Sequence, residues 1–110
     1  FTLSFISFLR TKKSEFNDEI VKHNHKKFEF IYFDGNHSKQ ATLDYVSSLL
    51  RTTTADTVWM FDDIHWSPEM TEAWETIKKM PEISATIDAF HFGMAFFRPQ
   101  QAKEDFYIRL

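Results

Sequence analysis

Apolar positions switch repeatedly between a strand period and a helix period along the chain. Phe28–Phe33 reads FEFIYF, a nearly continuous aromatic and β-branched run, and predicts a strand covered on both faces. It ends in Asp34-Gly35-Asn36-His37, a turn signal. Ser38 is placed to cap a following helix, whose face carries Tyr45, Val46, Leu49 and Leu50 at helical spacing. Thr57–Phe61 (TVWMF) predicts a second buried strand and runs into Asp62-Asp63. Ser67 followed by Pro68 is a helix start, and Met70, Ala73, Trp74 and Ile77 then share one face. Pro81 stops that helix. Ile83–Phe90 and Met94–Phe97, joined around His91-Phe92-Gly93, predict a hairpin, and Phe106–Leu110 a terminal strand or extended tail. Upstream, Phe1–Leu9 predicts a strand. Ser14 would then cap a helix with Phe16, Ile20 and Val21 on one face and the cationic His23–Lys27 run at its end.

Strand, helix, strand, helix and then antiparallel strands predict an α/β sandwich with a mostly parallel sheet and the hairpin at its edge. Two strands joined by a helical crossover are expected to be parallel neighbours. Their C-terminal tips then share one sheet edge, where open α/β sheets bind ligands. Asp34, Asp62 and Asp63 would converge there, within reach of one small cation. Crowded carboxylates repel and raise one another's pKa, and a hard ion such as Mg²⁺ removes that conflict. His37 and His65, each three residues beyond a strand-end acid, are candidate bases, substrate contacts or ligands. Bland readings stand beside these. Asp34 before Gly35 suits a turn former, His23 and His25 suit a solvated helix end, and Trp59, Trp66 and Trp74 suit core packing. Trp66 nonetheless falls in the suspected site loop.

Composition narrows the classes. The chain has 110 residues and a formal charge of −3, which argues for one domain or part of one and against a nucleic-acid binder. It has no Cys, which removes a disulfide framework, a thiolate metal site and a Cys nucleophile. No apolar run reaches the length of a membrane span, and the greasy first residues precede Arg10, Lys12 and Lys13 rather than follow them, the wrong polarity for a secretion signal. A cytoplasmic protein without a membrane partner is therefore expected. The 13 Phe promise a dense aromatic core, while the 2 Gly, Gly35 and Gly93, cannot spell a glycine-rich phosphate loop. A start at Phe1 suggests the C-terminal piece of something longer.

FEFIYFDGNHSKQATLDYVSSLL followed by ADTVWMFDDIHWSPEMTEAWETI resembles the second half of class I S-adenosylmethionine-dependent methyltransferases. It looks closest to the branch holding the macrocin-type sugar and the catechol-like O-methyltransferases. The resemblance covers roughly Phe28 to Arg98. It implies a truncated Rossmann-like methyltransferase sheet with flanking helices. In the family order 3-2-1-4-5-7-6, Phe28–Asp34 would be strand 4, Thr57–Asp62 strand 5, and the hairpin strands 6 and 7. Residues 1–110 would form a single partial domain, without the cofactor-binding N-terminal half unless Phe1–Leu9 replaces one of its strands. The resemblance further implies Asp34, Asp62 and Asp63 as ligands of Mg²⁺ or a similar divalent cation. Asp34 or His37 would be the base; apart from the resemblance, the position of His65 and Trp66 in the loop after Asp62-Asp63 makes them candidate substrate contacts. Asp63 stands where catechol-type members carry Asn, which leans toward the sugar-type branch.

The expected function is methyl transfer from S-adenosyl-L-methionine to a small hydroxylated acceptor, in the intact protein rather than in these residues alone. The alternatives are a metal-assisted hydrolase or hydroxylase using the same acids with His37 and His65, or a non-catalytic interaction module. With strands 1 to 3 missing, the 28–34 strand is expected to expose one edge and to pair there in a homodimer.

Overall fold

A computed structural model describes residues 5–9, 27–34 and 38–109, with residues 5–9 and Asp34 described by backbone alone. The helix expected after Ser14, the turn residues Gly35 and Asn36, and His37 lie outside the described residues. The elements are β1 (Phe5–Leu9), β2 (Phe30–Asp34), α1 (Lys39–Leu49), β3 (Val58–Asp62), α2 (Pro68–Lys78), β4 (Ala85–Asp88), β5 (Phe92–Phe96) and β6 (Glu104–Tyr107). Among the described residues the strands form one mixed sheet in the order β1-β2-β3-β5-β4-β6. The fold is α/β. The β1–β2, β2–β3 and β4–β6 pairs are parallel, and β5 runs antiparallel to both of its neighbours.

Register explains the core. Ile31, Trp59, Ala95 and Thr86 form one row across β2, β3, β5 and β4, and Phe33, Phe61, Gly93 and Asp88 form the next. All eight are buried. On this face Phe33 stacks on Phe61 at 4.5 Å between ring centres, and Trp59 meets Phe33 and Phe97 edge-on. Helix α1 adds Tyr45, Val46 and Leu49, and α2 adds Met70, Ala73, Trp74 and Ile77. Burying each large side chain contributes about 1.5–3 kcal/mol. The alternate residues Tyr32, Val58, Met60, Met94, Phe96 and Ile87 are half-buried.

Both helices start where the polar signals put them. Ser38 Oγ accepts from the Ala41 N–H at 3.1 Å, and Ser67 Oγ accepts from the Met70 N–H at 3.2 Å. Pro68 occupies the first turn of α2, where its missing N–H costs nothing. The helix starts also touch each other. The Lys39 N–H donates to Glu69 Oε1 at 2.9 Å, and Thr42 Oγ1 lies 3.7 Å from Met70 Sδ.

Three expectations change. The open edge predicted for the 28–34 strand is absent, because β1 pairs in parallel along the whole of β2. A strand as apolar as FIYFD satisfies its backbone groups best with a neighbour on each side. The hairpin is not at the sheet edge, because β6 pairs outside β4. Gly93 is not in the hairpin turn but inside β5, and its place is steric. A Cβ there would stand 2.7 Å from the Trp74 ring. The turn itself falls at Ala89-Phe90-His91, and Phe90 takes a left-handed backbone (φ 70°) without glycine.

Gly93→Ala is accordingly expected to cost about 1–3 kcal/mol through overpacking against the Trp74 ring. Urea denaturation checks this, and combining it with Trp74→Leu, which removes the obstructing ring, should make the two losses less than additive.

Candidate active site

One sheet edge collects the polar chemistry. Strands β2 and β3 are parallel and in register through Phe33–Phe61, so Asp34 and Asp62 end neighbouring strands at the same edge. Because β5 is antiparallel, its first residue, Phe92, pairs with Asp62, and the 89–91 turn is carried to that edge too. Strand β4 ends there at Asp88, opposite Gly93. The loop from Asp63 to Trp66 and the turn from Ala89 to His91 thus face each other.

Hydrogen bonds fasten the two. The Asp63 N–H donates to the His91 carbonyl at 2.9 Å, and Asp63 adopts a left-handed backbone with φ 54°. The Trp66 N–H closes the loop onto the Asp63 carbonyl at 2.9 Å. Asp88, only 2% exposed, accepts from the Phe90 N–H at 2.9 Å through Oδ1 and meets His65 Nε2 at 2.9 Å through Oδ2. His65 Nδ1 lies 3.3 Å from Thr71 Oγ1, so both ring nitrogens are engaged. The His65 ring stacks on Phe90 at 5.2 Å, and the Arg109 guanidinium sits over the Phe90 ring at 5.4 Å. Arg109 also donates to the Asp88 carbonyl at 3.1 Å.

Burial by itself would push the Asp88 carboxyl up. The hydrogen bonds from the Phe90 N–H and from His65, and the charges of His65 and Arg109, outweigh burial and hold it below its ordinary value. Near the end of α2, burial opposes charge on Lys78. Its contacts with Glu75 at 2.5 Å and the Tyr107 hydroxyl at 3.0 Å reverse that and raise its pKa.

An open pocket of about 300 Å³ results, lined by Asp63, His65, Trp66, Phe90 and His91. Of the residues singled out in the sequence, Asp63, His65 and Trp66 line it. Asp34 and Asp62 stand at the ends of β2 and β3 beside it, and His37 is outside the described residues. His65 presents a ring held by Asp88 and Thr71 rather than a nitrogen open to a ligand. Among the described residues no three His, Asp or Glu side chains converge closely enough to hold a metal ion. The Asp34 side chain is not among those described.

Asp88, Phe90, His91 and Arg109 carry no motif and were not picked out by spacing. A signal existed for Asp88: a lone acid inside the apolar run Ile83–Phe90 must be paired if the run is buried. No protein-family model matches the chain, and no curated protein or solved structure matches it.

A carboxyl held below its ordinary value stabilises the fold above about pH 4, and that stability is lost as the pH falls through the lowered native value. Asp88→Asn should therefore cost about 1–3 kcal/mol at pH 7 by urea denaturation. The cost should shrink as the pH falls below about 4, because the parent chain progressively loses the same contribution.

Proposed function

We propose that the chain is the C-terminal part of an S-adenosylmethionine-dependent O-methyltransferase domain, with Asp34, Asp62 and Asp63 as the cation ligands. The observation that carries this reading is the strand sequence β2-β3-β5-β4, in which a late antiparallel strand is inserted between two earlier ones. It parallels the 4-5-7-6 segment of the family whose motifs the chain resembles. The likeness extends to the acids that end β2 and β3, at the edge where α/β sheets bind their ligands.

The donor set suits a hard cation, since Asp34, Asp62 and Asp63 offer carboxylate oxygen alone. Bound S-adenosylmethionine would supply an electrophilic methyl group, and a bound divalent cation would acidify and orient a hydroxyl. The residues' own work is to hold the acceptor hydroxyl at the ends of β2 and β3 and to accept its proton at Asp34 or His37. Alignment of the reacting atoms by such positioning would lower the barrier. The reading assigns the glycine-rich cofactor loop to polypeptide outside these residues, because Gly35 and Gly93 cannot form one. A homodimer through the 28–34 edge loses its basis, since β1 covers that edge, and the reading keeps a cytoplasmic setting as the expected one. No described helix is long and apolar enough to cross a membrane.

Titration calorimetry of the full-length protein tests the reading. S-Adenosylmethionine should bind, and Asp34→Asn and Asp62→Asn should each weaken Mg²⁺ binding at least about tenfold, as expected for loss of a carboxylate ligand, while leaving cofactor affinity within about twofold. Absence of cofactor binding would remove the methyl-transfer assignment, and unchanged Mg²⁺ binding in both variants would remove the cation site.

A further inference from the structure

Strand β6 is the outermost strand of the described sheet on its side, and β4 takes only half of its backbone. The Glu104 and Ile108 N–H groups donate to the Ser84 and Asp88 carbonyls at 3.1 and 2.8 Å. Alternate residues of a strand turn their backbone groups to opposite sides, so 104, 106 and 108 face β4 while Asp105, Tyr107 and Arg109 turn theirs outward. No described strand lies on that outer side. Free strand edges recruit other strands, and charge, proline or a bulge ordinarily guards them. This strand carries charge at its two ends, and between them run Phe106, Tyr107 and Ile108, which are 43%, 61% and 43% exposed.

The outer side is complementary to itself. A two-fold axis perpendicular to the sheet sets two copies of one strand antiparallel, with residues of the same face opposite each other. Centred on Tyr107, it places Asp105 opposite Arg109, Phe106 opposite Ile108, and Tyr107 opposite its own copy. The outward backbone groups of 105, 107 and 109 then meet as hydrogen-bonded pairs. Phe106 and Ile108 fall between them, where opposed side chains approach closest. Other centres fit worse. About Phe106, Lys103 would oppose Arg109; about Asp105, two aspartates would meet; about Ile108, Asp105 would lose its cationic partner.

The side chains are already prepared on both faces. On one, Tyr32, Met60, Met94, Ile87 and Phe106 form an apolar row across the sheet, which the partner's Ile108 would continue. On the other, the Tyr107 hydroxyl is held by Lys78 at 3.0 Å, and Asp105 accepts from Thr86 Oγ1. Side chains held in this way lose little entropy on association. Arg109 meets Asp88 through Nη1 and its side chain is still 55% exposed, so its fork of donors can reach a second carboxylate.

We infer that β6 is the contact of a two-fold homodimer, in which the β6 strands of two copies pair antiparallel about Tyr107 and join their sheets into one. The inference does not rest on the methyl-transfer reading.

Sedimentation of the full-length protein tests it, with Tyr107→Pro as the variant. The 107 N–H turns away from β4, so proline there spares the ladder within the chain and removes one bond from each copy to its partner. The parent is expected to sediment as a dimer. Tyr107→Pro should raise the dimer dissociation constant at least about tenfold, while Tyr107→Phe, which loses only the bond to Lys78, should stay within about threefold. Oxidation of single-cysteine variants reads the register, since residues 1–110 contain no Cys of their own. Directly opposed Cα atoms stand about 5.5 Å apart, within disulfide reach, so Tyr107→Cys should cross-link to its own copy. Phe106→Cys and Ile108→Cys should cross-link only when the two variants are mixed, as the masses of the linked peptides will show. Should Tyr107→Pro fail to fold, the cross-links decide alone. A monomeric parent, a dimer indifferent to Tyr107→Pro, or self-cross-linking of Phe106→Cys in place of Tyr107→Cys would each overturn the inference.

Discussion

A carboxylate almost wholly removed from water, that of Asp88, joins the parts of the functional edge. Burying a charge is costly unless each of its oxygens is engaged. One oxygen of Asp88 takes the Phe90 N–H and the other meets His65, while Arg109 approaches from the chain's last described residues. The first bond shapes the 89–91 turn, and the second aims the ring of a loop that follows a different strand. Removing the charge would therefore loosen both walls of the pocket together, because they share one anchor rather than having one each.

That anchor works only because β5 is inserted between β3 and β4. The insertion carries the 89–91 turn to the edge where β2 and β3 end, and it depends on packing at Gly93. The Trp74 ring lies where any side chain at that position would be, so α2 sits directly on the strand. Phe61 touches Trp74 from the neighbouring strand, and Phe33 and Trp59 continue the aromatic layer. The density has a cost, since the indole nitrogens of Trp59 and Trp74 are buried without a hydrogen-bond partner. Ring burial outweighs those two losses.

The same edge gives the functional proposals a common geometry. Acids end the parallel strands, and rings wall a pocket at the same edge. Asp63 belongs to both groups, as the second acid of the Asp62-Asp63 pair and as a pocket wall whose N–H reaches across to His91.

Local rules determined much of this from sequence. Ser38 and Ser67-Pro68 set the helix starts, because capping needs only residues close in the chain. The runs FEFIYF and TVWMF set two neighbouring parallel strands, because continuous apolar sequence demands cover and a helical crossover fixes direction. The strand-end positions of Asp34 and Asp62 followed from these. What tertiary structure alone decided involved partners distant in sequence. Pairing of β1 on β2 closed an edge that looked open, since strand pairing is chosen by what remains unsatisfied in the whole sheet. The hairpin turn moved off Gly93 because Trp74, nineteen positions earlier in the chain, needed that space. His65 acquired its orientation from Asp88, on a strand that no local pattern connects to it. Those are contacts between surfaces, and the linear order of residues does not encode a surface until the chain has packed.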